Sequence, residues 1–137
     1  MKVLVDTCVV LDLLQNREPF AVDAVALFKK FATRACNGFI TAKSMADLYY
    51  ILHRGLHSDE STRAALRKLL TLVGILDTMA DDCRDALFSV MSDYEDAMAA
   101  QTAFRTSMDC IVTRNTADFQ YSPVPAMTPA EFIARNT

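Results

Sequence analysis

Short apolar runs rich in β-branched residues alternate with longer segments of helical periodicity along this 137-residue chain. Strands are predicted at residues 2–5, 39–41, 75–76 and 110–113, with 124–127 as a candidate fifth. In the segments between them, apolar residues recur every three or four positions, which is typical of amphipathic helices. Strands that alternate with helices form largely parallel sheets with helices on both faces. The sequence therefore predicts an α/β fold, formed as one domain over residues 1–137.

Start and stop signals give the predicted helix boundaries. The clearest start is residues 128–131, where Thr is the N-cap, Pro the first helical residue and Glu the third. Two weaker capping boxes are predicted, Ser92 with Glu95 and Thr78 with Asp81. Three glycines are interpreted as helix ends, namely Gly38, Gly55 and Gly74.

Composition and charge exclude several classes of protein. Hydrophobic residues make up 52% of the chain, which argues against disorder. The apolar runs are far shorter than a membrane span, and Asp6 and Asp12 interrupt any signal peptide, so a cytoplasmic protein without membrane association is predicted. The net charge of −3 argues against tight non-specific binding to nucleic acid, although divalent ions in an acidic pocket would reverse the local field.

The cysteines do not indicate a zinc site or a disulfide framework. Cys8, Cys36, Cys83 and Cys110 are widely spaced, without a Cys-x-x-Cys pair. We therefore expect reduced, mostly buried thiols rather than metal ligands or nucleophiles.

Four aspartates lie next to the predicted strands or one turn beyond them. Asp6 follows the first strand and Asp118 the fourth, whereas Asp47 lies in the helix after the second strand and Asp96 in the helix before the fourth. Parallel sheets bind ligands at the carboxyl ends of their strands, where these side chains would meet. Crowded carboxylates require a cation, and hard oxygen ligands favour magnesium or manganese. The sequence thus predicts a divalent metal site.

Each aspartate also has an ordinary structural alternative. Asp6 could cap the helix that follows it, Asp118 could be a turn residue, and Asp47 could form a surface ion pair with Lys43. Asp96 has the weakest alternative, because the predicted capping box already accounts for the start of its helix.

Five segments together resemble the PIN-domain proteins. The resemblance spans nearly the whole chain in order, and its most specific part is the Thr-Arg-Asn-x-x-Asp-Phe element. The segments are residues 5–12 (VDTCVVLD), 42–52 (AKSMADLYYIL), 93–97 (DYEDA), 111–119 (IVTRNTADF) and 127–132 (MTPAEF). Many PIN-domain proteins of this size are VapC-type toxins of toxin–antitoxin pairs.

The resemblance implies both a fold and an activity. The implied fold is a three-layer sandwich, in which a short, mainly parallel sheet of four or five strands lies between helices. The implied activity is that of a Mg²⁺- or Mn²⁺-dependent endoribonuclease acting on RNA. A small antitoxin protein as inhibitor and a homodimeric state are implied as well.

The resemblance also assigns roles to residues. It implies a catalytic quartet of Asp6, Asp47, Asp96 and Asp118, with Asp6, Asp96 and Asp118 as metal ligands. Thr113 and Asn115 match the polar support of the last acid, Asp93 matches a peripheral acid, and Arg114 and Lys43 are candidate phosphate contacts. One departure is Asp47, where the wider family most often has Glu; the shorter side chain suggests that a water bridges Asp47 to the metal.

Two other functions stay open from the sequence. The first is a non-catalytic module that keeps the fold and binds only a protein partner, which the departure at Asp47 favours. The second is a phosphatase or phosphoacceptor domain with Asp6 as nucleophile. Against the second, the next acid is the distant Asp12, and no compelling lysine site is evident.

Overall fold

Five parallel strands form one sheet in the computed structural model, which describes residues 1–136. The strands are β1 (Lys2–Val5), β2 (Asn37–Thr41), β3 (Val73–Leu76), β4 (Cys110–Val112) and β5 (Ala126–Met127). The helices are α1 (Thr7–Leu14), α2 (Ala21–Ala32), α3 (Ala42–Leu56), α4 (Asp59–Leu69), α5 (Ala80–Ala86), α6 (Tyr94–Arg105) and α7 (Pro129–Arg135). A 3₁₀ turn (Thr116–Phe119) follows β4.

The strand order places a ligand crevice next to β1. The order is β3-β2-β1-β4-β5, so the chain first builds outward from β1 to β3 and then returns to place β4 on the other side of β1. In parallel sheets, ligands bind outside the carboxyl ends of the strands at the point where the order reverses. That point lies between β1 and β4, where Val5 is in register with Val112.

Alternating residues of β1 face two different cores. Val3 and Val5 pack in a cluster with side chains of α1, α2, α3, α4 and α7, whereas Leu4 packs in a second cluster with α5 and α6. This period of two is what a strand covered on both faces requires. The predicted α/β fold, a mainly parallel sheet between two layers of helices, is therefore confirmed.

Two of the three glycines interpreted as helix ends lie in strands, so those predictions were wrong. A Cβ atom on Gly38 would lie 2.6 Å from the Phe31 ring, and one on Gly74 would lie 3.0 Å from the Phe39 ring. Glycine is needed at both positions because an aromatic ring packs directly on the strand backbone. Helix α3 likewise continues through Gly55, and His57 forms its left-handed C-cap with φ of 54°.

The capping predictions had mixed outcomes. The box of Thr128 and Glu131 is confirmed, since each side chain accepts from the backbone N–H of the other. The Ser92–Glu95 box was wrong, because Asp93 is the N-cap of α6 and accepts from the backbone N–H of Asp96 at 2.9 Å.

The predicted Thr78–Asp81 box was also wrong. Helix α5 begins at Ala80, and the carboxylate of Asp82 accepts from the backbone N–H of Met79 at 3.0 Å. The Thr78 hydroxyl instead accepts from the backbone N–H of Lys43, at the start of α3.

Within residues 1–136, the helices are all too short or too polar to cross a membrane.

Candidate active site

The carboxylate of Asp6 is held at the carboxyl end of β1 by donors from two elements. Its Oδ2 accepts from the hydroxyl of Thr113 at 2.7 Å and from the thiol of Cys8 at 3.4 Å. Its Oδ1 accepts from the backbone N–H of Thr7 at 2.8 Å, as Asp6 also precedes α1. Asp6 therefore caps α1, and the contacts with Thr113 and Cys8 orient its carboxylate at the crevice.

Thr113 connects Asp6 with the loop that leads to Asp118. The Thr113 side chain is fully buried; its hydroxyl donates to Asp6 and accepts from the backbone N–H of Asn115 at 3.0 Å. The carbonyl of Asn115 in turn accepts from the backbone N–H of Asp118. The Thr113 side chain therefore contacts the first acid, Asp6, rather than the last acid as predicted, and Asn115 contacts Asp118 through its backbone.

Asp96 lies in the first turn of α6, close to other carboxylates. Partial burial, followed by the charges of Asp6, Asp93, Asp118 and Glu95, raises the pKa of Asp96 to about 7. The charges of Asp6 and Asp118 reach Asp96 although the three residues come from three different parts of the chain. The fold thus brings these three predicted ligands into one electrostatic neighbourhood.

Small side chains allow α6 to lie close to the sheet. Ala97, Ala100 and Ala103 are almost completely buried against the second core cluster. Because a methyl group occupies little space between helix and sheet, the first turn of α6 carries Asp96 to the crevice beside β1.

Asp47 differs from the other three acids because it forms an ion pair with a lysine. The ammonium group of Lys43 lies 2.5 Å from Asp47 Oδ2 and 3.1 Å from Glu95 Oε1, so it joins α3 to α6. Partial burial disfavours the charged form of Lys43, but its hydrogen bonds to Asp47 and Glu95 outweigh burial and raise its pKa. The ion pair considered for Asp47 is therefore present.

Most of these side chains line a cavity of about 340 Å³. Its charged and aromatic lining consists of Asp6, Lys43, Asp47, Tyr50, Glu95 and Asp96. Asp118 does not line this cavity and acts on it through its charge near Asp96. Three of the four predicted acids therefore share one cavity, and Glu95, which the sequence interpretation had assigned only to a capping box, also lines it.

Arg114 is engaged away from the cavity. Its guanidinium group donates to both carboxylate oxygens of Asp12, at 2.7 and 3.3 Å, and lies 4.0 Å from the centre of the Phe20 ring. Asp12 is 1% exposed, so this is a nearly buried ion pair. These contacts do not favour the predicted phosphate role of Arg114, and they assign it to holding the loop between Thr113 and Asn115.

The thiol of Cys8 contacts Asp6 but is unreactive. Burial first, and the negative charge of Asp6 second, raise the pKa of the Cys8 thiol to about 11. The thiol therefore stays protonated near neutral pH and is a poor nucleophile. All four cysteines are free, which agrees with the expectation of reduced thiols.

The negative charge of the acids suits a divalent cation, but the side chains do not already form a coordination shell. Among residues 1–136, no three side chains of His, Cys, Asp or Glu are already grouped to hold a metal ion. Magnesium, however, keeps several waters and commonly binds through one or two carboxylates. Burial raises the pKa of Asp96 most, and the charges of the neighbouring acids raise it further; a bound cation would neutralise those charges.

We expect the metal-free protein to lose stability as the pH rises from about 4 to about 7. A carboxyl group whose pKa is about 7 when folded and 3.8 ordinarily binds its proton more readily in the folded state. Its contribution to stability is complete below the ordinary pKa and is lost as the pH rises through the folded pKa. Thermal unfolding in EDTA would measure this loss.

The Asp96→Asn variant is the control for this pH dependence, because other groups also titrate in this range. Subtracting its unfolding profile from that of the wild type isolates the contribution of Asp96. Parallel profiles for the two proteins would contradict the assignment.

Comparison with known proteins gives one family and several structural neighbours. The family model described as PIN domain matches residues 2–117. The search of curated proteins returned no match.

Three of the solved structures that resemble this chain are a toxin and two toxin–antitoxin complexes. The DNA-bound VapBC of Salmonella typhimurium has a TM-score of 0.70 at 19% identity, covering 94% of this chain and 98% of the other. A toxin–antitoxin complex from Klebsiella pneumoniae has a TM-score of 0.67 at 23% identity, covering 93% and 97%. VapC20 of Mycobacterium tuberculosis, a Sarcin-Ricin loop cleaving toxin, has a TM-score of 0.62 at 16% identity, covering 80% and 86%.

At these identities the solved structures establish a shared fold only. The family model, in contrast, matches the amino-acid sequence. Its match begins at β1 and ends in the loop beyond β4, and it includes Asp6, Asp47 and Asp96. Residues 2–117 thus carry both the strand order that creates the crevice and most of the acids that line it, and we conclude that this chain belongs to the PIN-domain family.

Proposed function

We propose that this protein is a Mg²⁺- or Mn²⁺-dependent endoribonuclease and the toxin of a toxin–antitoxin pair. The observation that carries the proposal is the crowding of Asp6, Asp96 and Asp118 near the crevice between β1 and β4, where partial burial, followed by the charges of the neighbouring acids, raises the pKa of Asp96 to about 7. Such crowding is unfavourable without a cation and is typical of sites that bind metal and phosphate.

The structural neighbours support the biological part of the proposal. One neighbour is a toxin that cleaves the Sarcin-Ricin loop, and others are complexes of a toxin with its antitoxin. By analogy, RNA is the proposed substrate of this chain and a small antitoxin its proposed partner. A homodimer and a cytoplasmic location belong to the same proposal.

The proposed roles follow from what each side chain contacts. Asp6, Asp96 and Asp118 would hold the metal ion, which would supply Lewis-acid activation for phosphodiester hydrolysis. Thr113 fixes the orientation of the Asp6 carboxylate through a hydrogen bond of 2.7 Å and leaves its remaining lone pairs for the cation. Lys43 faces the same cavity and adds positive charge near the place where a phosphate would bind.

A direct test uses the purified chain with single-stranded and structured RNA. We expect cleavage with MgCl₂ or MnCl₂, no cleavage with excess EDTA, and recovery when the metal is restored. Mass spectrometry of the product ends would locate the broken bond. Cleavage that persists in EDTA would contradict a metal-dependent reaction.

A non-catalytic interaction module is the second candidate. It is favoured by the pairing of Asp47 with Lys43, which removes one predicted acid from direct contact with a metal. Failure of Mn²⁺ to bind, together with tight binding of a protein partner, would support this candidate. The phosphoacceptor alternative gains no support, because the partners of the Asp6 carboxylate within residues 1–136 are a backbone N–H, a thiol and a hydroxyl, with no lysine among them.

A further inference from the structure

We infer that the ammonium group of Lys43 is a resident cation of the acidic cavity, so that the site binds one divalent ion rather than two. The inference rests on the proposed metal-dependent function and deepens it. It assigns Asp47 and Glu95 to Lys43, and the metal ion to Asp6, Asp96 and Asp118.

The geometry around Lys43 shows that two carboxylates converge on one positive charge. Asp47 Oδ2 lies 2.5 Å and Glu95 Oε1 3.1 Å from the same nitrogen atom, although one acid is in α3 and the other in α6. The side chains of Lys43 and Asp47 are 32% and 40% exposed, so solvent screens this pair less than a fully exposed one, whereas Glu95 is 68% exposed and its pair with Lys43 is screened more.

Charge compensation differs between the two sides of the cavity. Asp47 and Glu95 share a lysine, whereas Asp6 is bound only by uncharged donors. Among the ion pairs within residues 1–136, none involves Asp6, Asp96 or Asp118. These three acids therefore keep negative charge that no lysine or arginine neutralises, and a divalent ion is attracted to them more strongly than to the paired Asp47 and Glu95.

The short side chain of Asp47 is consistent with this division. Lys43 precedes Asp47 by four residues, so both lie on the same face of α3 and their charged ends meet along the helix. A second divalent ion at this point would have to displace the ammonium group from both carboxylates. With Lys43 in place, the position is closed to that ion by repulsion between cations.

Counting bound Mn²⁺ tests the inference without measuring catalysis. Electron paramagnetic resonance detects free Mn²⁺ during titration of the full chain with MnCl₂ and gives the number of ions bound. We expect one ion for the wild type, two for Lys43→Met, and one again for Lys43→Met/Asp47→Asn. Lys43→Arg retains the positive charge and should bind one ion.

Matched variants separate the effect of Lys43 from general effects of charge and folding. Arg84→Met removes a cation from an exposed helical ion pair with Asp81 and should still bind one ion. Asp47→Asn alone should also bind one ion, whereas Asp96→Asn should lose it. Circular dichroism and thermal unfolding establish that each counted variant is folded.

The possible counts give distinct conclusions. Two ions in the wild type, or one ion in a folded Lys43→Met variant, would overturn the inference and leave the proposed nuclease intact. Loss of the ion in Asp47→Asn would also overturn it. No ion in the wild type would end both the inference and the metal-dependent function.

Discussion

Replacing Asp96 with asparagine is expected to lower the rate of RNA cleavage by more than about 100-fold while making the metal-free protein more stable. Losing an outer partner of a metal ligand typically costs 10–100-fold, so losing a ligand itself should cost more. Asparagine has the same shape but no charge, so it removes the repulsion from Asp6 and Asp118 that raises the pKa of Asp96. Cleavage assays in MgCl₂ and thermal unfolding in EDTA near pH 8 measure the two effects.

The opposite signs of these two effects distinguish a site residue from a structural one. A residue needed only for folding would lose activity and stability together, whereas a strained functional residue loses activity and gains stability. Asp85→Asn changes an exposed acid on α5 in the same way and should leave both quantities near wild type. A folded Asp96→Asn protein that cleaves RNA at the wild-type rate would remove the basis of the proposed function.

Replacing Arg114 with methionine is expected to reduce the free energy of unfolding by about 3–5 kcal/mol, because it leaves a buried charge without its partner. The Asp12 side chain is 2% exposed and that of Arg114 is 27% exposed, so solvent cannot take over the role of the guanidinium. The variant also loses the contact between Arg114 and the Phe20 ring. Denaturation in urea gives the free energy of unfolding directly.

A double-mutant cycle identifies the cause of this loss. Asp12→Ala combined with Arg114→Met removes the unpaired charge and should be more stable than Arg114→Met alone. Arg84→Met breaks an exposed ion pair and should cost about 1 kcal/mol or less. If Arg114→Met were as mild as Arg84→Met, the pair with Asp12 would not be holding the loop after β4.

The loop held by Arg114 also positions residues of the proposed active site. Arg114 lies between Thr113, which orients Asp6, and Asn115, which contacts the turn that bears Asp118. Loosening this loop should therefore reduce cleavage as well as stability. The sequence interpretation treated Arg114 as a candidate phosphate contact and did not identify its partner, Asp12, which lies 102 residues earlier in the chain.

The helical periodicity and the acids at the strand ends could be predicted from the sequence, because both depend on the spacing of residues that are close together in the chain. The alternation of strands with helices, the position of Asp6 after β1 and the cap at Thr128 all follow from neighbours a few residues apart. Local signals misled where a distant group competed. Gly38 and Gly74 resembled helix ends, yet aromatic rings that pack on β2 and β3 require glycine within the strands.

The linear chain thus specified an α/β fold and a set of acids suited to a cation, since burial pattern and side-chain chemistry are properties of short segments. Which acids share a cavity, and which are already paired, depended on how α3, α6 and β4 meet in space. Asp47 and Asp96 have the same side chain, but a lysine neutralises Asp47 whereas neighbouring carboxylates crowd Asp96. Electrostatic interactions fall off with distance through space rather than along the chain, so only the folded arrangement separates these two roles.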